Sequence, residues 1–162
     1  MKAVFSSNLK YMLESLFAAI LWLFFASCCL IVQICATFHW GLTVGGAITL
    51  LLFAFEAMQF LLGVQNVSAE DDVLIARNLF GKVETIEFAQ IQRVYLAKVR
   101  VFYVVHIMRP VIVISKKKTK HKVEDCYAQK GKGYIVIPDI DGNREKLSRL
   151  YEAVTGTAIK WR

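Results

Sequence analysis

From Ser15 to Phe55 the chain runs for 41 residues without one Asp, Glu, Lys or Arg, and His39 is the only histidine in the run. A helix needs about 20 apolar residues to cross a hydrocarbon layer, so the run has room for two spans and little else. Its one polar, aromatic and Gly-marked interruption is Thr37-Phe38-His39-Trp40-Gly41. The pattern predicts a transmembrane hairpin in residues 1–63, with a first helix over roughly Leu9–Ala36 and a second over roughly Leu42–Leu62.

Lys and Arg are retained on the cytoplasmic flanks of spanning segments. Lys2 and Lys10 precede the first helix, Arg77 and Lys82 follow the second, and the turn between the helices carries neither type. Both termini are therefore expected in the cytoplasm, with the protein in the inner (plasma) membrane and Trp40 at the outer headgroup level, where an amphipathic ring keeps one wet edge. A cleaved signal peptide is the rival reading of the first helix. Against it, the apolar run is longer than a signal peptide's core, and a second span rather than a soluble sequence follows.

The net charge is +7, and every Lys and Arg except Lys2 and Lys10 lies in residues 64–162. A basic domain beside an anionic leaflet gains about 1 kcal/mol per nearby Lys or Arg. Nucleic acid would be attracted as well, but no base-contacting or stacking element is recognisable, so none is expected as a partner. Cys28, Cys29 and Cys35 fall within the first helix and Cys126 in the basic segment. They read as small, soft packing residues rather than a disulfide framework.

From Val73 the pattern turns to short β-rich runs. Val73–Phe80 and Lys82–Phe88 flank Gly81 as a hairpin, and Ile91–Leu96 and Val99–Ile107 follow as two further strands. In the last of these, Val99, Val101, Tyr103, Val105 and Ile107 share one face. Met108-Arg109-Pro110 is expected to break the pattern, because Pro110 has no N–H for a ladder. Val111–Ser115 resumes it, a weak strand is expected near Lys120–Asp125, and Tyr134–Ile137 is the final strand before Pro138. A helix over about 141–155 closes the chain. Asp141 is its expected N-cap, Leu147, Leu150, Tyr151 and Val154 form its apolar stripe, and Gly156 marks its stop.

A membrane hairpin, strands without an intervening helix and one C-terminal amphipathic helix resemble the bacterial pleckstrin-homology-like (PH-like) membrane proteins. The local match is Asp72–Gly81 (DVLIARNLFG) followed by Thr85–Val94 (TIEFAQIQRV), a strand, Gly turn, strand and I-x-x-V pattern. The resemblance implies an α-hairpin plus an α+β domain. The β part would be a small antiparallel PH-like barrel or sandwich over residues 64–162, capped by the C-terminal helix. It also implies a binding or scaffolding role. In eukaryotic relatives basic residues on the first strands bind phosphoinositides, and here only Arg77 and Lys82 lie near that place.

Among candidate sites, Glu56 is the sharpest oddity, because an acidic side chain within a span marks a functional site by default. The alternative is a carboxylate at the inner interface reaching headgroup water, and Gln59 one turn further on points that way. Glu14 is nearer still to the boundary. Gly41 and Gly45 have the small-x-x-x-small spacing that lets spanning helices approach closely; equally, because they open the second helix, they read as a flexible exit from the loop. Lys116, Lys117, Lys118, Lys120, His121 and Lys122 form a dense cationic stretch that reads as a contact for anionic lipid or an acidic partner. Equally, it reads as a solvated loop that guards a strand edge. His39, His106 and His121 share no metal-ligand spacing, and neither a nucleophile elbow nor a phosphate-cradling loop is present.

Three function classes remain. The leading expectation is a non-catalytic, membrane-anchored scaffold or accessory subunit, without cofactor, that binds another integral membrane protein or its own copy. The second is a sensor or tether for anionic phospholipid using Lys116–Lys122. The third is an enzyme whose site is split with a partner, with Glu56 and Glu14 as its acids on this chain.

Overall fold

The computed structural model describes residues 2–35, 39–102, 107–120 and 122–161. Thr37, Phe38, Tyr103, Val105, His106 and His121, singled out above, lie outside the described residues. Two long helices, α1 (Leu9–Cys35) and α2 (Trp40–Gly63), form the hairpin, and both are long and apolar enough to cross a membrane by length and composition. His39 caps α2, its Nδ1 accepting from Gly41 N at 3.2 Å.

The β fold begins before the hairpin. Strand β1 (Lys2–Val4) pairs antiparallel with β2 (Gln65–Glu70), Lys2 facing Glu70 and Val4 facing Ser68. Both helices are thus an excursion between two neighbouring strands of one sheet. That sheet continues through β3 (Val73–Asn78) and β4 (Gly81–Glu87) in the order β1-β2-β3-β4. Gly81 has φ of 123°, a backbone that side chains resist and glycine accepts.

The second sheet has the order β5-β6-β7, from β5 (Arg93–Phe102), β6 (Ile107–Ser115) and β7 (Tyr134–Pro138). Ile91–Leu96 and Val99–Ile107 are not two strands. The intervening Ala97-Lys98 has no turn-forming residue, and β5 runs through it in register with Pro110 and Val111. Nor does Pro110 break β6. Pairing with β7 starts only at Val111, and the Pro110 carbonyl is used instead, accepting from Asp139 N at 3.2 Å and Tyr11 Oη at 3.0 Å. No strand forms at Lys120–Asp125 among the described residues. That segment lies along the outer edge of β5, with Arg100 N donating to Glu124 O at 3.1 Å.

The two sheets share no strand pairing, so the barrel is not closed. Their inner faces meet through Leu74 and Ile86 on one side and Ile112 and Ile135 on the other, all fully buried. Helix α3 (Asn143–Thr155) covers this core with Leu147 and Leu150, and Tyr151 and Val154 pack at its margin. Its first cap is Gly142 at φ 72°, not Asp141, which itself has φ of 50° and cannot offer the extended backbone of a side-chain cap. Gly156 ends the helix in the left-handed region as its position implies. A second core, under the hairpin, gathers Tyr11 and Met12 of α1 with Val64, Val99, Val111, Val113 and Val136.

Candidate functional site

Among the described residues, no group of three His, Cys, Asp or Glu is placed to hold a metal. The densest polar construction is the junction where the hairpin enters the sheets. Asn8, 1 % exposed, stands at its centre. Its Oδ1 accepts from Gln65 N at 2.7 Å, and its Nδ2 donates to Gly63 O at 2.7 Å and Cys126 O at 3.2 Å. One side chain so ties the start of α1, the end of α2 and the β6–β7 connection. Gln65 repeats the device, donating to Val136 O at 3.2 Å and accepting from Ala128 N at 2.7 Å. Asn143 pins the stretch before α1, exchanging bonds with Ser6 N at 2.9 Å and Ser6 O at 3.3 Å.

Around this centre the helix roots bond to the sheets side chain by side chain. Tyr127 Oη donates to Gln59 Oε1 at 3.0 Å. Arg109 of β6 forms an ion pair with Glu14, its Nε lying 3.1 Å from Oε1. One residue further into the hairpin, Ser15 Oγ donates to Glu56 Oε2 at 2.7 Å across the helix interface. Glu56 is 1 % exposed and its Oε1 has no hydrogen-bond partner. The two carboxylates singled out in the sequence thus lie at one level, where the hairpin meets the domain. Met12 and Cys126 fill the space between, Cys126 Sγ donating to Met12 Sδ at 3.2 Å. Burial first, then the nearby Asp125, pushes the Cys126 thiol up to about 12, so it is an inert packing group rather than a nucleophile.

The cationic stretch starts at the other end of the domain. Lys116 leaves β6 after Ser115, which pairs with Arg93 and Tyr134, whereas Arg109 and Val111 mark the hairpin end of the same strand. Lys116 Nζ lies 3.7 Å from Glu84 Oε1, and Glu84 Oε2 also accepts from Gly131 N at 3.0 Å. Lys120 Nζ stands 5.7 Å over the Tyr95 ring, and Lys122 pairs with Glu124 at 2.8 Å. Lys117 and Lys118 are exposed, and Lys118 O accepts from Arg93 Nη1 at 2.9 Å. The stretch therefore guards the edge of β5 with part of its charge internally matched.

At the far end of the hairpin, Trp40 opens α2 with 74 % of its surface exposed. A Cβ on Gly45 would meet nothing within 4 Å, and one on Gly41 would meet only the His39 ring at 3.2 Å. The glycine that faces α1 is Gly46, whose added Cβ would stand 3.5 Å from Cys29 Cβ. An open groove of about 520 Å³ lies between the start of β5 and the C-terminal tail, bordered by Ile91, Arg93, Lys118, Tyr151, Ile159 and Lys160. It too lies at the end away from the hairpin.

Compared with protein families, curated proteins and solved structures, the chain matches none. Two apolar helices followed by a small antiparallel sheet domain is what its own structure supports. Sequence reasoning missed Asn8, Gln65, Arg109 and Asn143 as junction residues. Only Asn8 carried a usable signal, a polar cap-type side chain directly before an apolar helix.

Proposed function

We propose that this protein is a non-catalytic membrane adaptor: a two-span anchor that holds a PH-like β domain rigidly at the cytoplasmic face, where the domain binds a partner membrane protein or complex. The observation that carries the reading is the contrast along the hairpin. Its roots are buried and bonded into the sheets. Beyond Ser15 and before Glu56 it is bare and apolar, with Phe17, Phe24, Ile34 and Leu51 each more than 60 % exposed. Such a surface is stable in hydrocarbon and not in water. From Leu16 to Cys35 α1 rises roughly 30 Å at 1.5 Å per residue, about the thickness of a bilayer's apolar core. Glu14, Arg109, Ser15 and Glu56 then fall at the inner interface, which favours an interfacial role for Glu56 over an intramembrane one.

What supports partner binding is the way the domain is held. A polar junction that joins both helices to both sheets leaves no hinge, and a fixed platform loses little conformational entropy on docking. The groove beside Arg93 and Lys160 lies at the end away from the hairpin and is lined by apolar side chains (Ile91, Val94, Ile159) together with the basic Arg93, Lys118 and Lys160. Lipid binding through Lys116–Lys122 gains no comparable support, because the stretch leaves the sheet at the end remote from the hairpin. Purification of the tagged full chain in mild detergent from its native membrane is the test. A second integral membrane protein at fixed stoichiometry, lost when Arg93 and Lys160 are changed to Glu, is the expected result. A monodisperse chain that carries no partner, in a host where its deletion alters no membrane complex, refutes the adaptor reading.

A further inference from the structure

We propose that the β3–β4 turn, Leu79-Phe80, is a third membrane contact, seated among the headgroups of the same leaflet that the hairpin roots reach; the proposal rests on the membrane-anchor reading above. Tight turns between strands favour Gly, Asn, Asp and Ser, which accept positive φ or bond their own backbone, and nothing in turn geometry calls for large apolar side chains. Here the two central residues are a leucine 59 % exposed and a phenylalanine 70 % exposed. The turn itself is well formed, with Phe80 N donating to Asn78 Oδ1 at 2.9 Å and Gly81 taking the positive φ. The apolar pair is therefore held outward by an ordered backbone, and no part of the described domain covers it.

Register fixes where the pair points. Gln65, two residues past the end of α2, pairs with Asn78, and Asn78 pairs with Gly81. Leu79 and Phe80 thus continue β3 toward the membrane, beside the point where α2 enters the sheet. The opposite end of the same strands is the turn at Asp71-Asp72, between Glu70 and Val73. That end lies roughly 17 Å away at about 3.3 Å per residue.

Charge follows the same polarity. The remote turn is acidic, while exposed Lys82 follows the apolar one, and Arg77 precedes it in an ion pair with Glu70 at 3.3 Å. An apolar tip with a neighbouring cation on the side facing an anionic leaflet, and carboxylates on the side facing water, matches a bilayer surface better than a protein groove. The contact would brace the sheet β1-β2-β3-β4 against the membrane, as the helix roots brace β5-β6-β7.

Site-directed spin labelling of the full chain in phosphatidylcholine–phosphatidylglycerol vesicles tests this. Cys28, Cys29 and Cys35 are replaced by Ala, and the buried, unreactive Cys126 is kept. Phe80→Cys, Asp72→Cys and Leu51→Cys are labelled singly, and collision with oxygen is compared with collision with a water-soluble nickel chelate. The label at 51 should favour oxygen strongly and the label at 72 the chelate. The label at 80 should meet the chelate several-fold less often than the label at 72. A label at 80 as open to the chelate as the one at 72, with 51 still shielded, overturns the proposal and leaves the anchor reading standing. Chelate access at 51 overturns both. Shielding at 80 that disappears as the protein-to-lipid ratio is lowered assigns it to a second copy of the chain and also overturns the proposal.

Discussion

Toward its turn the hairpin exposes Phe24, Ile34 and Leu51, and its polar side chains bond within the hairpin, as Ser27 Oγ does to Leu23 O at 2.9 Å and Gln33 Nε2 to Thr43 Oγ1 at 2.6 Å. At its root the same two helices bury Tyr11, Met12 and Ser15 and carry the Asn8, Glu14 and Gln59 bonds into the sheets. The upper half is specified by little beyond its apolar surface and the helix-to-helix contacts of Gln33 with Thr43 and Gly46 with Cys29. The lower half is specified residue by residue, as a protein interior is. Hairpin and β domain are therefore packed as one body at the root; on the proposed anchor reading, the solvent changes partway along it.

The sharpest way to break that comparison is to cut at the end of α2. Residues 64–162 alone lose β1, Phe5, Tyr11 and Met12, and leave β2 with an open edge. The fragment is expected to show no cooperative unfolding transition by circular dichroism. A sharp transition would mean the sheets do not need the helix roots.

A smaller effect separates two polar side chains on the two halves. Asn8→Ala leaves Gln65 N and the Gly63 and Cys126 carbonyls without their buried partner, and should cost about 3 kcal/mol. Ser27→Ala, in the upper half, should cost less than about 0.5 kcal/mol. Denaturant titration of the full chain in detergent measures both, and equal costs would erase the distinction.

The smallest contrast lies between two glycines of α2. An added Cβ at Gly63 would stand 2.3 Å from Met12 Cε and 3.1 Å from Tyr127 Cδ1, whereas at Gly45 it meets nothing within 4 Å. Gly63→Ala should destabilise by about 1–2 kcal/mol through overpacking. Gly45→Ala should instead stabilise by up to about 1 kcal/mol through helix propensity. A stabilising Gly63→Ala would show that Met12 has room to yield.

The sequence disclosed what depends on local pattern. Freedom from charge fixed the hairpin to within a few residues, Gly81 located its turn, and the Leu147–Leu150 stripe with Gly156 located α3. It was silent where partners are distant in the chain. β1 is a three-residue strand, Lys-Ala-Val, with no period to read, and it exists because Ser68–Glu70 is there to pair with it. Asn8 and Gln65 are 57 residues apart, and Ser15 and Glu56 are 41 apart. Glu56 drew attention as an oddity, but its level relative to Arg109 followed only from the Glu14–Arg109 and Ser15–Glu56 contacts. The lysine stretch was legible as charge, while the end of the sheet it leaves from is a matter of topology.

The pairing of β1 with β2 also constrains biosynthesis. Lys2–Val4 leaves the ribosome before either helix, yet its partner Ser68–Glu70 follows only after both helices have been made. The first strand must wait, and it can be claimed only if both ends of the hairpin finish on the same side of the bilayer. A chain that crossed once, or whose first helix was left behind, would strand β1 on the wrong face and leave β2 with a raw edge for quality-control proteases to find. On the proposed anchor reading, completion of the sheet would require an even number of crossings, independently of the lysines that flank the helices.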